Sequence, residues 1–138
     1  MIVRVGLAIL AALLAWPALA VEVEWLEIGA DTEARYYINP KSIEVEGDTI
    51  RLQKRQVFNS PLVDNFTGRR VLFKESIGTV ELDCGRHINR VTQIDMIGMD
   101  GEVVWSSGKL KQRMWEEVKD NTHGGATFDY VCKNLKPS

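Results

Sequence analysis

Residues 43–52, Ile43-Glu44-Val45-Glu46-Gly47-Asp48-Thr49-Ile50-Arg51-Leu52, alternate apolar and polar side chains on both sides of Gly47-Asp48. A period of two builds a pleated strand with one apolar face, and glycine at the first central position suits a type II′ turn. The stretch therefore reads as a β-hairpin, and antiparallel pairing becomes the expected frame of the molecule. Alternation continues downstream, with Ile50, Leu52, Lys54, Gln56 and Phe58 sharing one face that passes from apolar to polar.

Working outward, Val23 to Ile28 and Ala34 to Ile38 read as strands, the second carrying Tyr36 and Tyr37. Asn39-Pro40-Lys41-Ser42 breaks the run, because Pro40 has no N–H and restricts the residue before it. Asn59 to Gly68 is a polar loop containing Pro61. Arg69 to Asp83 is long for one strand, which places a bend or bulge near Gly78. Ile88 to Met99 and Glu102 to Ser107 make a second hairpin about Asp100-Gly101, a type I′ signal. Near the C-terminus Phe128, Val131, Cys132 and Leu135 fall at i, i+3, i+4 and i+7, one stripe of a helix that Asn121 or Thr122 would cap. Gly124-Gly125 would weaken its first turn. The expected fold class is α+β: a single antiparallel β-sheet of about six strands with a C-terminal α-helix held against it by a disulfide.

The chain has 138 residues. Arg4, an apolar run from Val5 to Trp16, Pro17 and Ala18-Leu19-Ala20 form the pattern of a cleaved secretory signal peptide over residues 1–20. The run is shorter than the ~20 apolar residues a membrane-crossing helix needs, and no comparable run follows. No cysteine stands at the cleavage site, which argues against a lipid anchor. Residues 21–138 then form one exported domain. The only two cysteines, Cys84 and Cys132, lie in that domain, and an even pair in an oxidising compartment reads as a disulfide. The rival reading, a zinc half-site at Cys84-Gly85-Arg86-His87, lacks the second pair of ligands.

Composition bounds function by exclusion. The chain carries 17 Lys+Arg, Arg4 among them in the leader, against 19 Asp+Glu, without the basic excess of a nucleic-acid binder. Catalytic motifs are lacking: there is no Gly-x-Ser-x-Gly elbow, His-Glu-x-x-His pair or P-loop. The two histidines, His87 and His123, read as solvated surface residues. Glu81 and Asp83 share a strand face and read as a solvent-facing strand edge beside the disulfide. Cys-x-x-Cys-His is absent, so c-type haem attachment is excluded; no cofactor and no metal site is assigned, and the chain reads as no enzyme. Basic residues cluster at Lys54-Arg55, Arg69-Arg70 with Lys74, Arg86 with Arg90, and Lys109, Lys111, Arg113. If strands 50–58 and 69–76 pair, Lys54, Arg55, Arg69 and Arg70 become the candidate binding patch for an acidic partner. The alternative is that such residues discourage sheet-to-sheet aggregation. Asn65-Phe66-Thr67 matches a glycosylation sequon and is taken as chance.

Trp25, the run Tyr37-Ile38-Asn39-Pro40-Lys41-Ser42-Ile43, Ser76 followed by Glu81-Leu82-Asp83-Cys84, then Arg90, Trp115 and Cys132, taken in order, resemble the surface-adhesin protein E family of Gram-negative bacteria. The resemblance implies a small antiparallel sheet with a C-terminal helix tied to it by a disulfide. It also implies a non-enzymatic binding module that contacts host matrix proteins and can engage haem, located in the periplasm or on the outer-membrane surface. The alternative function is a periplasmic structural or inhibitory protein that protects another envelope component.

Overall fold

A computed structural model describes residues 23–64, 68, 70–111 and 114–134. Its centre is the antiparallel pair β4 (Thr49–Asp64) and β5 (Val71–Asp83). Around it lie β1 (Leu26–Ala30), β2 (Ala34–Ile38), β3 (Glu44–Glu46), β6 (Ile88–Ile97), β7 (Val103–Ser106) and β8 (Glu116–Glu117). The strand order is β1-β2-β4-β5-β6-β7, with β3 also on β4 and β8 also on β6. β2 and β3 divide one edge of β4 between them, since β2 pairs with residues 54–58 and β3 with residues 49–51. β7 and β8 divide the outer edge of β6 in the same way. Among the described residues eight strands therefore occupy six positions across the sheet, where the sequence reading expected about six strands.

Local chemistry explains the joints. Gly47 has φ +59 in the two-residue turn between paired Glu46 and Thr49, and Asp48 is not in the left-handed region, which is type II′. Between β2 and β3, Pro40–Ser42 make one 3-10 turn. The Asn39 side chain accepts from the Lys41 amide, while Ser42 Oγ donates to the Asn39 carbonyl and accepts from the Gln53 amide. The second hairpin differs from expectation. Gly101 N–H donates to the Gly98 carbonyl and only Gly101 has positive φ, +85, so the loop is a three-residue turn ending in a left-handed glycine rather than type I′.

Two further boundaries correct the sequence reading. Residues 59–64, expected as loop, continue β4: Leu62, Val63 and Asp64 pair with Phe73, Leu72 and Val71. Pro61 is tolerated because it falls in the register shift between Val57 and Leu62, where no ladder donor is required. The bulge expected near Gly78 lies one residue on: Thr79 pairs with Gln93 and Val80 with Val91, leaving Thr92 of β6 as the extra residue.

α1 (His123–Asn134) packs on one face of the sheet. Ile38, Ile50, Leu52, Val80 and Leu82 from the strands meet Val118, Phe128 and Val131 in a single core. Full burial of each such aliphatic side chain is worth roughly 1.5–3 kcal/mol. Thr122 Oγ1 accepts from the Gly125 amide and donates to the Lys119 carbonyl, which makes Thr122 the N-cap. A Cβ at Gly125 would stand 2.5 Å from the Lys119 carbonyl oxygen, so glycine is what permits the chain to approach there. The Cys84–Cys132 disulfide joins the end of β5 to the apolar stripe of α1, with Cα atoms 5.7 Å apart. Leu135, the last residue of the expected stripe, the leader and the Asn65-Phe66-Thr67 sequon lie outside the described residues. Among the described residues no helix is long and apolar enough to cross a membrane.

Candidate functional site

Because successive strand residues point to opposite faces, the core fixes what the other face displays. With Ile50, Leu52 and Lys54 on the helix side, Arg51, Gln53 and Arg55 project from the helix-free side, and the register aligns them into rungs. Arg51, Glu81 and Arg90 form one rung across β4, β5 and β6; Gln53, Thr79 and Gln93 form the next; Tyr37, Arg55, Ile77 and Asp95 form the third. Rungs on one face stand about 6.8 Å apart along the strands.

The first rung is organised by Glu81, 7% exposed. One carboxylate oxygen lies 3.2 Å from Arg90 Nη2 and the other 3.7 Å from Arg51 Nη2. A carboxylate buried this deeply needs cationic partners to offset lost hydration. The Trp115 ring covers Arg90, with the guanidinium carbon 4.4 Å from the ring centroid. On the third rung Arg55 Nε donates to Glu75 Oε2 at 2.8 Å, and the Arg55 guanidinium carbon lies 5.8 Å and 5.6 Å from the Trp25 and Tyr37 ring centroids. Asp83, also buried, accepts from the Arg86 amide and Nε at 3.0 Å each. A cleft of about 320 Å³ opens over the first two rungs, lined by Arg51, Thr79, Glu81, Arg90, Thr92, Gln93, Lys109 and Leu110.

The residues singled out from sequence fall on both sides of this layout. Lys54 and Arg55 lie on opposite faces. Lys54 is directed to the helix side, its stem over the space that Gly78 leaves open, and burial pushes its amine down to about 8. Arg70 is exposed and precedes Val71; it stands seven residues, about 23 Å, along β5 from Ile77, the partner of Arg55. Arg69 lies outside the described residues. The three described residues, Lys54, Arg55 and Arg70, are therefore not gathered at one point. Glu81 and Asp83, expected on a solvent-facing edge, are instead buried on a central strand. His87 is exposed, with its ring 4.5 Å from Phe128. His123, expected at the surface, is half-buried and stacks on Tyr36 at 4.4 Å. Burial first, then the nearby Lys54 charge, push its imidazole down to about 3. Tyr36 donates to Asp31; burial and that bond raise its hydroxyl to about 12.

Sequence reading missed the convergence of Arg51, Arg90, Lys109 and Trp115. Half of the signal was present, since assigning Ile50 and Leu52 to the core places Arg51, Gln53 and Arg55 on the other face by alternation. The other half, the register that sets Glu81 opposite both arginines, comes only from pairing of strands distant in the chain.

Comparison with known proteins adds the following. The family model described as surface-adhesin protein E matches residues 25–133. Among solved structures, Haemophilus influenzae protein E superposes with a TM-score of 0.56 at 15% identity, covering 83% of this chain and 87% of that one. Crystal form II of the same protein gives a TM-score of 0.60 at 13% identity, covering 88% and 97%. At these identities the structural likeness concerns the fold. No curated protein matches.

Proposed function

From the premise that this chain belongs to the surface-adhesin protein E family, we propose that it is an exported, non-enzymatic, adhesin-like binding protein of the bacterial envelope. Residues 1–20 are the cleaved signal peptide and 21–138 the working domain. The binding surface is the helix-free face of the sheet, and the partner is a host matrix protein or another envelope component. One observation carries this reading: α1 and the core occupy one face, while the other presents paired arginines and carboxylates edged by half-buried Trp25, Tyr37 and Trp115. Half-exposed aromatic and arginine side chains are the groups that dominate protein recognition. Of the basic residues nominated from sequence, Arg55 belongs to this surface.

A non-enzymatic role is supported by the separation of the two histidines from Glu81 and Asp83. The rings of His87 and His123 pack against Phe128 and Tyr36 on the helix side, whereas Glu81 and Asp83 are held by arginines on the other face. The test is protease shaving of intact cells combined with adherence of purified protein to immobilised extracellular matrix. Surface exposure with saturable adherence is the expected result. Protection from protease and no adherence would instead favour the periplasmic alternative, which the alanine-type cleavage site motivates.

A further inference from the structure

We infer that the cleft above the Arg51–Glu81–Arg90 rung is a subsite for the acidic ring of a glycan, a uronate or a sulfated sugar; the inference rests on reading the helix-free face as the binding surface. The lining holds three cationic side chains, Arg51, Arg90 and Lys109, against the single carboxylate of Glu81. Glu81 divides its two oxygens between the two arginines. Arg51 is held at 3.7 Å, longer than a hydrogen bond, and its side chain is 47% exposed, so its donors are available to a ligand in the cleft it lines. Lys109 is exposed and makes no ion pair among the described residues. An anion entering the cleft therefore meets a net positive site that is already positioned.

The remaining lining decides the class of ligand. In the floor β5 is paired on both sides, and on the outer side of β6, where no strand pairs between Arg90 and Ile94, the Thr92 and Ile94 carbonyls already accept from the Leu110 and Ser107 amides, so a peptide has little free strand edge to extend. Apart from Leu110, the lining side chains are polar, which leaves no pocket for a peptide's apolar anchors. Thr79 and Thr92 instead supply hydroxyls and Gln93 a side-chain amide; the Thr92 hydroxyl donates to the Thr79 carbonyl and the Gln93 amide to Asp95, so their oxygens remain to accept from the hydroxyls of a sugar. Trp115, stacked on Arg90, adds a half-buried indole at the border, a surface for the C–H face of a ring. A volume of about 320 Å³ is at the small end for ligand sites and admits a sugar ring with its charged substituent.

Calorimetry on the disulfide-bonded protein tests this with four probes of matched length: an oligogalacturonate, a heparin-derived sulfated oligosaccharide, a neutral oligosaccharide and an oligoglutamate peptide. Binding of at least one acidic glycan, with the neutral glycan and the peptide at least tenfold weaker, is the expected result; the first two probes separate uronate from sulfate. R51Q and K109Q should each weaken that binding about tenfold, while K133Q on α1 stays within twofold. K109Q alters an exposed residue, so the test survives if R51Q folds poorly. Equal affinity for oligoglutamate or the neutral glycan, or indifference to both substitutions, overturns the inference. Adherence to matrix without affinity for any acidic glycan also overturns it, while leaving the wider reading intact. Affinity for an acidic glycan in a protein that does not adhere to matrix supports it and removes the host matrix as the partner in the wider reading.

Discussion

Glu81 shows how one residue serves both folding and surface. Its side chain is 9% exposed, with the carboxylate divided between Arg51 and Arg90, whose side chains are 47% and 29% exposed. Removing the charge strands two cations, although both reach solvent, so Glu81→Gln should cost about 2 kcal/mol in chemical denaturation. Arg51→Gln, at the exposed end, should cost less than about 1 kcal/mol; the reverse order would mean that the carboxylate is not the anchor. His123 gives a pH signature. Its folded value of about 3 lies below the ordinary 6.5 because of burial and then Lys54. Above pH 6.5 both states are neutral and this source of stability is fully present. As pH falls from 6.5 towards 3, the unfolded chain takes up a proton that the folded one refuses, and stability declines. Between pH 6 and 4 the expected loss is on the order of 2–3 kcal/mol. His123→Phe keeps a ring against Tyr36 and should flatten the slope between pH 6 and 4; an unchanged slope would assign it to other groups.

At the scale of elements, the helix is short and begins with two glycines, so its attachment depends on the N-cap, the core stripe and the disulfide. Cys132→Ser opens a loop of 48 residues and should cost about 4 kcal/mol under oxidising conditions, with no difference from wild type under strong reductant. Equal melting temperatures without reductant would refute a stapled helix. Gly125→Ala should destabilise by about 1–2 kcal/mol despite alanine's better helix propensity, because its Cβ would meet the Lys119 carbonyl. A gain in stability would show that the approach relaxes freely. Most elements were legible because local signals agreed: alternation about Gly47-Asp48, the break at Pro40, the 3.6-residue period near Cys132. The extension of β4 through Pro61 was not, because local propensity marks proline and asparagine as loop, whereas pairing of Leu62 and Val63 with Phe73 and Leu72 is a tertiary effect.

For the whole molecule, one sheet separates two environments. The helix side holds the core, the disulfide and a half-buried lysine; the other side holds ion pairs and aromatic borders. Part of that division was legible, since alternation sends Lys54 and Arg55 to opposite faces once a core is assigned. The cleft was not, because it depends on strands 30 to 40 residues apart and on the segment around Lys109 returning beside β6, where the Leu110 amide donates to the Thr92 carbonyl. Family and fold define a scaffold, and the uncovered face is where function is to be sought. The most direct measurement is hydroxyl-radical footprinting of the protein while it is bound to immobilised matrix. Protection at Trp25, Tyr37 and Trp115, with exposed Tyr130 of α1 as reactive as in the free protein, is the expected result. Protection centred on Tyr130, with the three other aromatic residues unchanged, would contradict the assignment of the helix-free face as the binding surface.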